Sequence, residues 1–393
     1  MKFAGLELRN PIIVASGPVT AKLWQLQEAE QHGAAAVSIK HVMNKQSFRG
    51  NMRCYSDPGE VMIFPIDRRL DVVEGLKLIE EAKKHTALAI MVNFSNELTD
   101  IEEYGRMAKT FENAGADALE INMCCPNFSL GNRDLGIDPD QIDAGAITGQ
   151  NPKLAGAITK IVKSNVKIPV IPKLTPTALD IVKVAKACEA AGADGLSLVG
   201  GPSIAAPPVD IYHGGRPLYA LMNKTSYGAI TGSAIRYATF KITAQVAAEV
   251  SIPIVSSGGI DTWEHAIQMM MWGANAVALC TAVMWEGFEV IDELHRGMEK
   301  FCESQGYSSY DEIVGKSLGF ISPNKEMELL AGSAIVDEDT CTGCERCLRV
   351  GHCDAIVMQG AYANVVSEKC IGCGVCMSVC PFDSISMIEL AGR

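Results

Sequence analysis

The chain is punctuated four times by one short pattern, a Gly-Ala pair followed by a run of alternating apolar positions. The copies are Gly33-Ala34-Ala35-Ala36-Val37-Ser38-Ile39, Gly115-Ala116-Asp117-Ala118-Leu119-Glu120-Ile121, Gly192-Ala193-Asp194-Gly195-Leu196-Ser197-Leu198 and Gly273-Ala274-Asn275-Ala276-Val277-Ala278-Leu279, spaced by 82, 77 and 81 residues. A helical pattern precedes each glycine, which can take the left-handed conformation that ends a helix, and the apolar run after it reads as a buried strand. Each copy is therefore a helix-to-strand junction. Between the junctions lie four more apolar runs, Ile12–Ala15, Leu88–Val92, Ile168–Ile171 and Ile252–Val255. Interleaved, they predict eight strands alternating with helices at about 40 residues per unit, which suits an α/β fold of the (β/α)8 TIM barrel type. A doubly wound open sheet is the alternative, but no Gly-x-Gly-x-x-Gly follows the first strand to mark a dinucleotide-binding turn.

In such a barrel, chemistry sits at the carboxyl ends of the strands. Those ends carry Ser16-Gly17, Lys40, Asn93, Asn122 with Cys124-Cys125-Pro126-Asn127, Lys173, Gly200-Gly201, Gly258-Gly259 and Cys280-Thr281. Two long connections, Met123 to about Asn151 and Gly200 to about Gly232, are expected to cover that mouth as binding loops. The pattern divides the chain into a barrel over residues 1–318, a linker over 319–335 and a cysteine-rich domain over 336–393.

Composition sharpens this picture. With 393 residues, 48% of them hydrophobic, the chain can bury one large core or two modest ones. A net charge of −12 argues against nucleic acid or an anionic membrane surface as the main partner. Neither a basic, apolar leader nor a run of about 18 apolar residues is present, so a cytoplasmic protein is expected. Eight of the 14 cysteines fall between positions 341 and 380. In a reducing compartment, close-spaced cysteines point to metal ligands rather than disulfides. Cys370-x2-Cys373-x2-Cys376-x3-Cys380-Pro381 has the bacterial ferredoxin spacing, in which three thiolates hold one [4Fe-4S] cluster and the fourth reaches another. Cys341-x2-Cys344-x2-Cys347 repeats the triplet, and Cys353 follows after five residues. The expected ligand sets are Cys341, Cys344, Cys347 with Cys380, and Cys370, Cys373, Cys376 with Cys353. Structural zinc is the other reading, although zinc favours two Cys-x2-Cys pairs over a triplet plus one.

Four further motifs carry a resemblance: Asn122-Met123-Cys124-Cys125-Pro126-Asn127, Pro172-Lys173-Leu174-Thr175-Pro176, Thr225 to Arg236 (TSYGAITGSAIR), and Gly258-Gly259-Ile260-Asp261. From Lys2 to about Phe288 the chain resembles the dihydroorotate dehydrogenase family of FMN barrels. With its tail it resembles the FMN and iron–sulfur catalytic subunit of bacterial NAD-dependent dihydropyrimidine dehydrogenases. The resemblance implies an oxidoreductase acting on a CH–CH or activated C=C bond, with FMN and two [4Fe-4S] clusters. It places the FMN phosphate on the backbone around Gly232, Gly258, Gly259 and Thr281, and the ring near Ala15, Ser16, Lys40, Asn93, Asn122 and Lys173. Asn122, Asn127, Asp67, Gly200 and Gly201 would meet substrate. Cys125 matches the family's acid/base residue, and a thiol with an unperturbed pKa near ~8.5 would be mostly protonated at neutral pH. Cys124 reads as packing. Electrons would come from a separate FAD- and NAD(P)-binding flavoprotein subunit or a ferredoxin-type donor, and assembly into an oligomer is expected.

The pattern departs from pyrimidine-using relatives, which read the ring with asparagines. Here the two locations are Val199-Gly200-Gly201-Pro202 and Phe64-Pro65-Ile66-Asp67. An unpaired imide edge would cost roughly 1–3 kcal/mol per group. A small cyclic substrate other than uracil or thymine is therefore expected, with a true dihydropyrimidine dehydrogenase as the runner-up. Arg68-Arg69 would serve either as an exposed basic pair or as a carboxylate holder. A non-catalytic electron-transfer adaptor and an RNA-modifying FMN barrel are the other classes. Cys125, Asn122 and the two lysines weigh against the first, and the acidic charge and the tail against the second.

Overall fold

The computed structural model describes residues 1–44, 52–96, 100–125, 145–199 and 204–390. They form two compact units, Met1–Phe320 and Ile321–Arg393.

In the first unit eight parallel strands close on themselves: β1 (Ile12–Val14), β2 (Ala36–Met43), β3 (Ala89–Ser95), β4 (Ala118–Met123), β5 (Val170–Leu174), β6 (Leu196–Val199), β7 (Ile254–Ser257) and β8 (Ala276–Leu279). Each pairs with its sequence neighbours, and β1 closes the ring on β8 through Leu279↔Val14 and on β2 through Ile13↔Ala36. A longer helix follows each strand on the outside, from Leu23–Gln31 after β1 to Glu289–Gln305 after β8. This is the eight-stranded α/β barrel that the alternation predicts.

The four repeat glycines end their helices with positive φ, between 93° and 107°, as the junction pattern requires. The repeat has a second use. Asp117, Asp194 and Asn275, each two residues after the glycine, accept an amide at the start of the preceding strand, from Ile90 (2.8 Å), Val170 (2.8 Å) and Ile254 (2.9 Å) respectively. One side chain thus ties each of these three junctions to its neighbour, and the first junction has Ala35 there.

Alternation sorts the strand residues between two cores. Val37, Ile39, Ile90, Val92, Leu119 and Ile121 face the helices. Ala36, Met91, Ala118, Ile171 and Val255 face the lumen and pack with Phe3, Leu6 and Leu8. Those last residues come from a hairpin, Lys2–Phe3 paired with Leu6–Glu7, which closes the amino-terminal end with an apolar floor.

At the other end a four-stranded antiparallel sheet stands beside the opening, in the order Ile204–Ala205, Gly228–Thr231, Val61–Ile66, Arg53–Asp57. The long connection after β6 was expected there. Its partner, the Arg53–Ile66 hairpin after β2, was not. The connection expected from Met123 to Asn151 falls mostly on 126–144, outside the described residues.

In the second unit, Gly332–Val336 pairs antiparallel with Ile385–Glu389, and Ile356–Gln359 with Tyr362–Val365. The first of these strands begins inside the segment expected to be linker, so ordered structure starts earlier than the sequence pattern suggests. No described helix is long and apolar enough to cross a membrane.

Candidate functional site

A cavity opens at the carboxyl ends of the barrel strands, bounded on one side by the antiparallel sheet. Of the residues expected to meet a cofactor, Ala15, Ser16, Lys40, Asn122 and Lys173 line it, as do Gly232, Gly258, Gly259 and Thr281. Asn93 does not. It is fully buried behind the wall, where its amide donates to Glu120 (2.5 Å) and its carbonyl oxygen accepts from Asn122 (2.9 Å). Asn93 thus supports Asn122, which does line the opening. Asp67 lines the cavity and is ion-paired with Lys40. Asn127, Gly200 and Gly201 lie outside the described residues.

Beneath the opening sits a charged network that sequence reasoning did not single out. Glu120, 3% exposed, accepts from Ser38 (2.7 Å) and Asn93 and lies 3.4 Å from the Lys173 ammonium. Burial alone would push both groups towards neutrality. The attraction of Lys173 and the bonds from Ser38, Ser197 and Asn93 overcome it, so the carboxyl is held below its ordinary range. Lys173 is correspondingly held above its own, again by Glu120 against burial. A signal for Glu120 existed: it shares strand parity with the lumen residues Ala118 and Asn122, where a carboxylate needs a buried partner.

Asn122 also builds the turn that carries the thiols. Its Oδ1 accepts the backbone amides of Cys124 (3.2 Å) and Cys125 (3.1 Å), and its Nδ2 approaches Cys125 Sγ at 3.3 Å. This arrangement occupies an asparagine oxygen with its own backbone. The Cys125 thiol is drawn well below the ordinary thiol range, first by the hydrogen bond from Cys124, then by His41 and Arg69, with burial opposing. Cys124 moves well above it, chiefly because it donates that bond. The surroundings of Cys125 thus shift its thiol from the ordinary value expected from residue type towards the thiolate.

His41 reaches the cavity beside Lys40 because of a β-bulge. The β2–β3 register runs Ile39↔Val92 and then Val42↔Phe94, so Lys40 and His41 together oppose Asn93. Strict alternation would send His41 to the outside, yet both side chains line the opening. The Arg68-Arg69 pair splits: Arg68 is half-buried and ion-paired with Glu74, whereas Arg69 is buried, lines the cavity and donates to the Asp67 carbonyl (3.3 Å).

Two glycines bring bare backbone to the same cavity. Gly232 has φ +91° and Gly259 φ +78°. A Cβ on Gly232 would stand 2.6 Å from the Trp285 ring and 2.9 Å from the Glu60 carbonyl, and one on Gly259 would stand 2.6 Å from Arg236 Cα. Arg236 fixes that turn by donating to the Gly259 carbonyl (2.7 Å) while paired with Asp261 (2.9 Å).

In the second unit, Cys341, Cys344, Cys347 and Cys380 line one small cavity. Cys353, Cys370, Cys373 and Cys376 line a second, with Cys347 on its wall. Cys347 thus borders both cavities.

The dihydroorotate dehydrogenase family model matches residues 1–302, and a 4Fe-4S dicluster domain matches residues 334–387. The chain is 31% identical over 322 residues to the catalytic subunit of dihydroorotate dehydrogenase B (NAD(+)) from Pyrococcus furiosus, covering 79% of this chain and 96% of that protein. The corresponding subunit from Methanothermobacter thermautotrophicus is 32% identical over 324 residues, covering 79% and 95%.

Proposed function

The chain belongs to the dihydroorotate dehydrogenase family of FMN-type oxidoreductases and carries a 4Fe-4S ferredoxin domain, and from that premise we propose that it moves hydrogen across the C–C bond of a small cyclic substrate, with Cys125 handling the proton. The observation that carries this reading is the thiol itself, held at the barrel mouth by Asn122 and surrounded by groups that make it a base. In the dehydrogenating direction Cys125 Sγ accepts the proton from a ring carbon, and in the reducing direction it returns one.

The residues present fit FMN. Gly232, Gly258, Gly259 and Thr281 line one part of the cavity, where the backbone amides of positive-φ glycines would hold a phosphate. Lys40 and Lys173 would stand near the ring, and Ala15 and Ser16 beside it. When bound, FMN supplies hydride exchange with the substrate and passes electrons on singly. Gly259→Ala forces a side chain against Arg236 at positive φ, so the variant is expected to purify with less flavin per chain. Natural flavin content, read from visible absorbance, would count against this cradle.

Two [4Fe-4S] clusters, on Cys341, Cys344, Cys347, Cys380 and on Cys370, Cys373, Cys376, Cys353, complete the proposal. A separate electron-transfer flavoprotein would meet NAD(P)H. The names of the relatives, which specify a catalytic subunit and NAD(+), support this division.

On substrate, Phe64 and Val199 line the cavity near where pyrimidine-using relatives present amides, and Asp67 is committed to Lys40. These features favour a ring other than uracil or thymine, and the buried Arg69 favours one bearing a carboxylate. Dihydropyrimidine dehydrogenation is the runner-up. The test mixes the photoreduced holoenzyme with uracil, thymine, orotate and other cyclic unsaturated acids and follows flavin reoxidation. Fast reoxidation by an acid and slow reoxidation by uracil and thymine is expected; the reverse order would establish the runner-up.

A further inference from the structure

We propose that Glu120 is a positioning residue for Cys125, acting through Asn93 and Asn122: its buried carboxylate fixes which way both amides face, so that the sulfur meets an Asn122 N–H. The inference rests on Cys125 being the acid/base group, and it concerns what prepares that group.

The relay is built on four neighbouring strands, with Ser38 on β2, Asn93 on β3, Glu120 and Asn122 on β4 and Lys173 on β5. Ser38 Oγ (2.7 Å), Asn93 Nδ2 (2.5 Å) and Lys173 Nζ (3.4 Å) converge on one oxygen, Glu120 Oε2. An ionised carboxylate only accepts, so Asn93 must turn its NH2 group towards it and its oxygen away. That oxygen accepts from Asn122 Nδ2 at 2.9 Å. The far end imposes the same polarity independently. The backbone amides of Cys124 (3.2 Å) and Cys125 (3.1 Å) only donate, so Asn122 must give them its oxygen. Its NH2 group is then left between the Asn93 oxygen and Cys125 Sγ, which lies 3.3 Å away. Reversing either amide alone would set two oxygens or two NH2 groups against each other at a buried contact.

Glu120 thus sets what the sulfur sees. Asn122 offers it a donor, and an N–H that meets sulfur stabilises the thiolate over the thiol. A bare carboxylate this close would do the opposite, because a neighbouring negative charge opposes ionisation of a thiol. Lys173, paired with Glu120, compensates that charge. The carboxylate therefore delivers orientation to the thiol with little net charge. Cys124, His41, Arg69 and Lys173 also act on Cys125, and all four stay in place in the variants below.

The test reads the thiol without turnover. Holoenzyme is alkylated with iodoacetamide across the pH range in which thiols titrate, and modified Cys125 is counted by peptide mass spectrometry. Asn93→Leu cuts the relay and leaves the Asn122 NH2 group facing hydrocarbon. It should raise the alkylation midpoint by about one pH unit, a loss of about ten-fold in thiolate below it. Asn93→Asp should recover part of that rise, because two adjoining carboxyls hold one proton between them, which keeps a donor towards Glu120 and an oxygen towards Asn122. Ser38→Ala removes a donor to the same Glu120 oxygen but lies off the path to sulfur, and should leave the midpoint unchanged. An unchanged midpoint in Asn93→Leu, an equal rise in Asn93→Asp, or a rise in Ser38→Ala as large as that in Asn93→Leu would each overturn the proposal. If Asn93→Leu fails to retain flavin, the smaller Asn93→Ala takes its place with the same expectation, and no rise overturns the proposal. Because alkylation is scored apart from catalysis, a Cys125→Ala variant that keeps full turnover would refute the acid/base reading and leave the relay measurement standing.

Discussion

Cys125→Ala is expected to lower turnover in either direction by about 10²–10⁴-fold, the usual contribution of a positioned acid or base, while flavin and iron content stay at natural levels. Two features make the separation clean. The side chain is small and partly exposed, so removing one sulfur opens little cavity. The backbone amide of Cys125 still donates to Asn122, which keeps the turn in place. The pH dependence carries the same information with opposite signs. A thiol pulled below its ordinary range keeps its thiolate further towards acid than a free cysteine does, so dehydrogenation is expected to fail only as pH falls through the lowered value. Reduction needs S–H and weakens as pH rises through that same value. Stopped-flow flavin reduction and reoxidation over pH measure both limbs. Turnover retained in the alanine variant would assign the proton to another group.

Glu120→Gln is expected to destabilise the barrel by about 3–5 kcal/mol, the range found when one member of a buried ion pair is removed and the other stays charged. Lys173 and Glu120 are both nearly inaccessible, and Ser38 and Asn93 are aimed at the carboxylate. The double variant Glu120→Gln/Lys173→Met should regain much of that loss, since replacing the pair removes the stranded charge. It should still bind or reduce flavin poorly, because Lys173 lines the cavity. A depressed carboxylate pKa gives stability that is present above its unfolded value and lost as pH falls through the folded one. The glutamine variant should accordingly lose part of the acid-side slope in stability. Denaturant unfolding at neutral and mildly acidic pH checks both statements, and an unchanged midpoint at neutral pH would show that water or rearrangement already screens the pair.

The features legible in the sequence were those written in local periodicity. The repeat glycines at Gly33, Gly115, Gly192 and Gly273 announced helix ends one position at a time, and the apolar runs after them could only be strands. The cysteine triplets were legible because metal chemistry fixes their spacing. Arg69, His41 and the hairpin beside the opening were not. His41 depends on a bulge, a one-residue slip that no pattern of apolar and polar residues in β2 records. The sheet joins Met62 to Thr231 and Phe64 to Ala229 across more than half the barrel's length, and such pairings leave no trace in either segment alone. Arg69 differs from Arg68 only in which way the chain turns at Leu70, where the two-residue strand Leu70–Asp71 pairs in parallel with the end of β2. Glu120 stands inside the Gly115–Ile121 repeat, and strand parity places it in the lumen with Ala118 and Asn122.

The apolar hairpin under the barrel makes the lumen a blind well. Phe3, Leu6 and Leu8 close one end, so among the described residues substrate, water and exchangeable protons meet the barrel at the end where Cys125, His41 and Arg69 stand. A molecule seated there stops solvent from reaching the groups beneath it, and the Glu120–Lys173 charges below exchange with nothing until it leaves. Traffic through the site is therefore expected to be in single file, with release of one occupant preceding entry of the next.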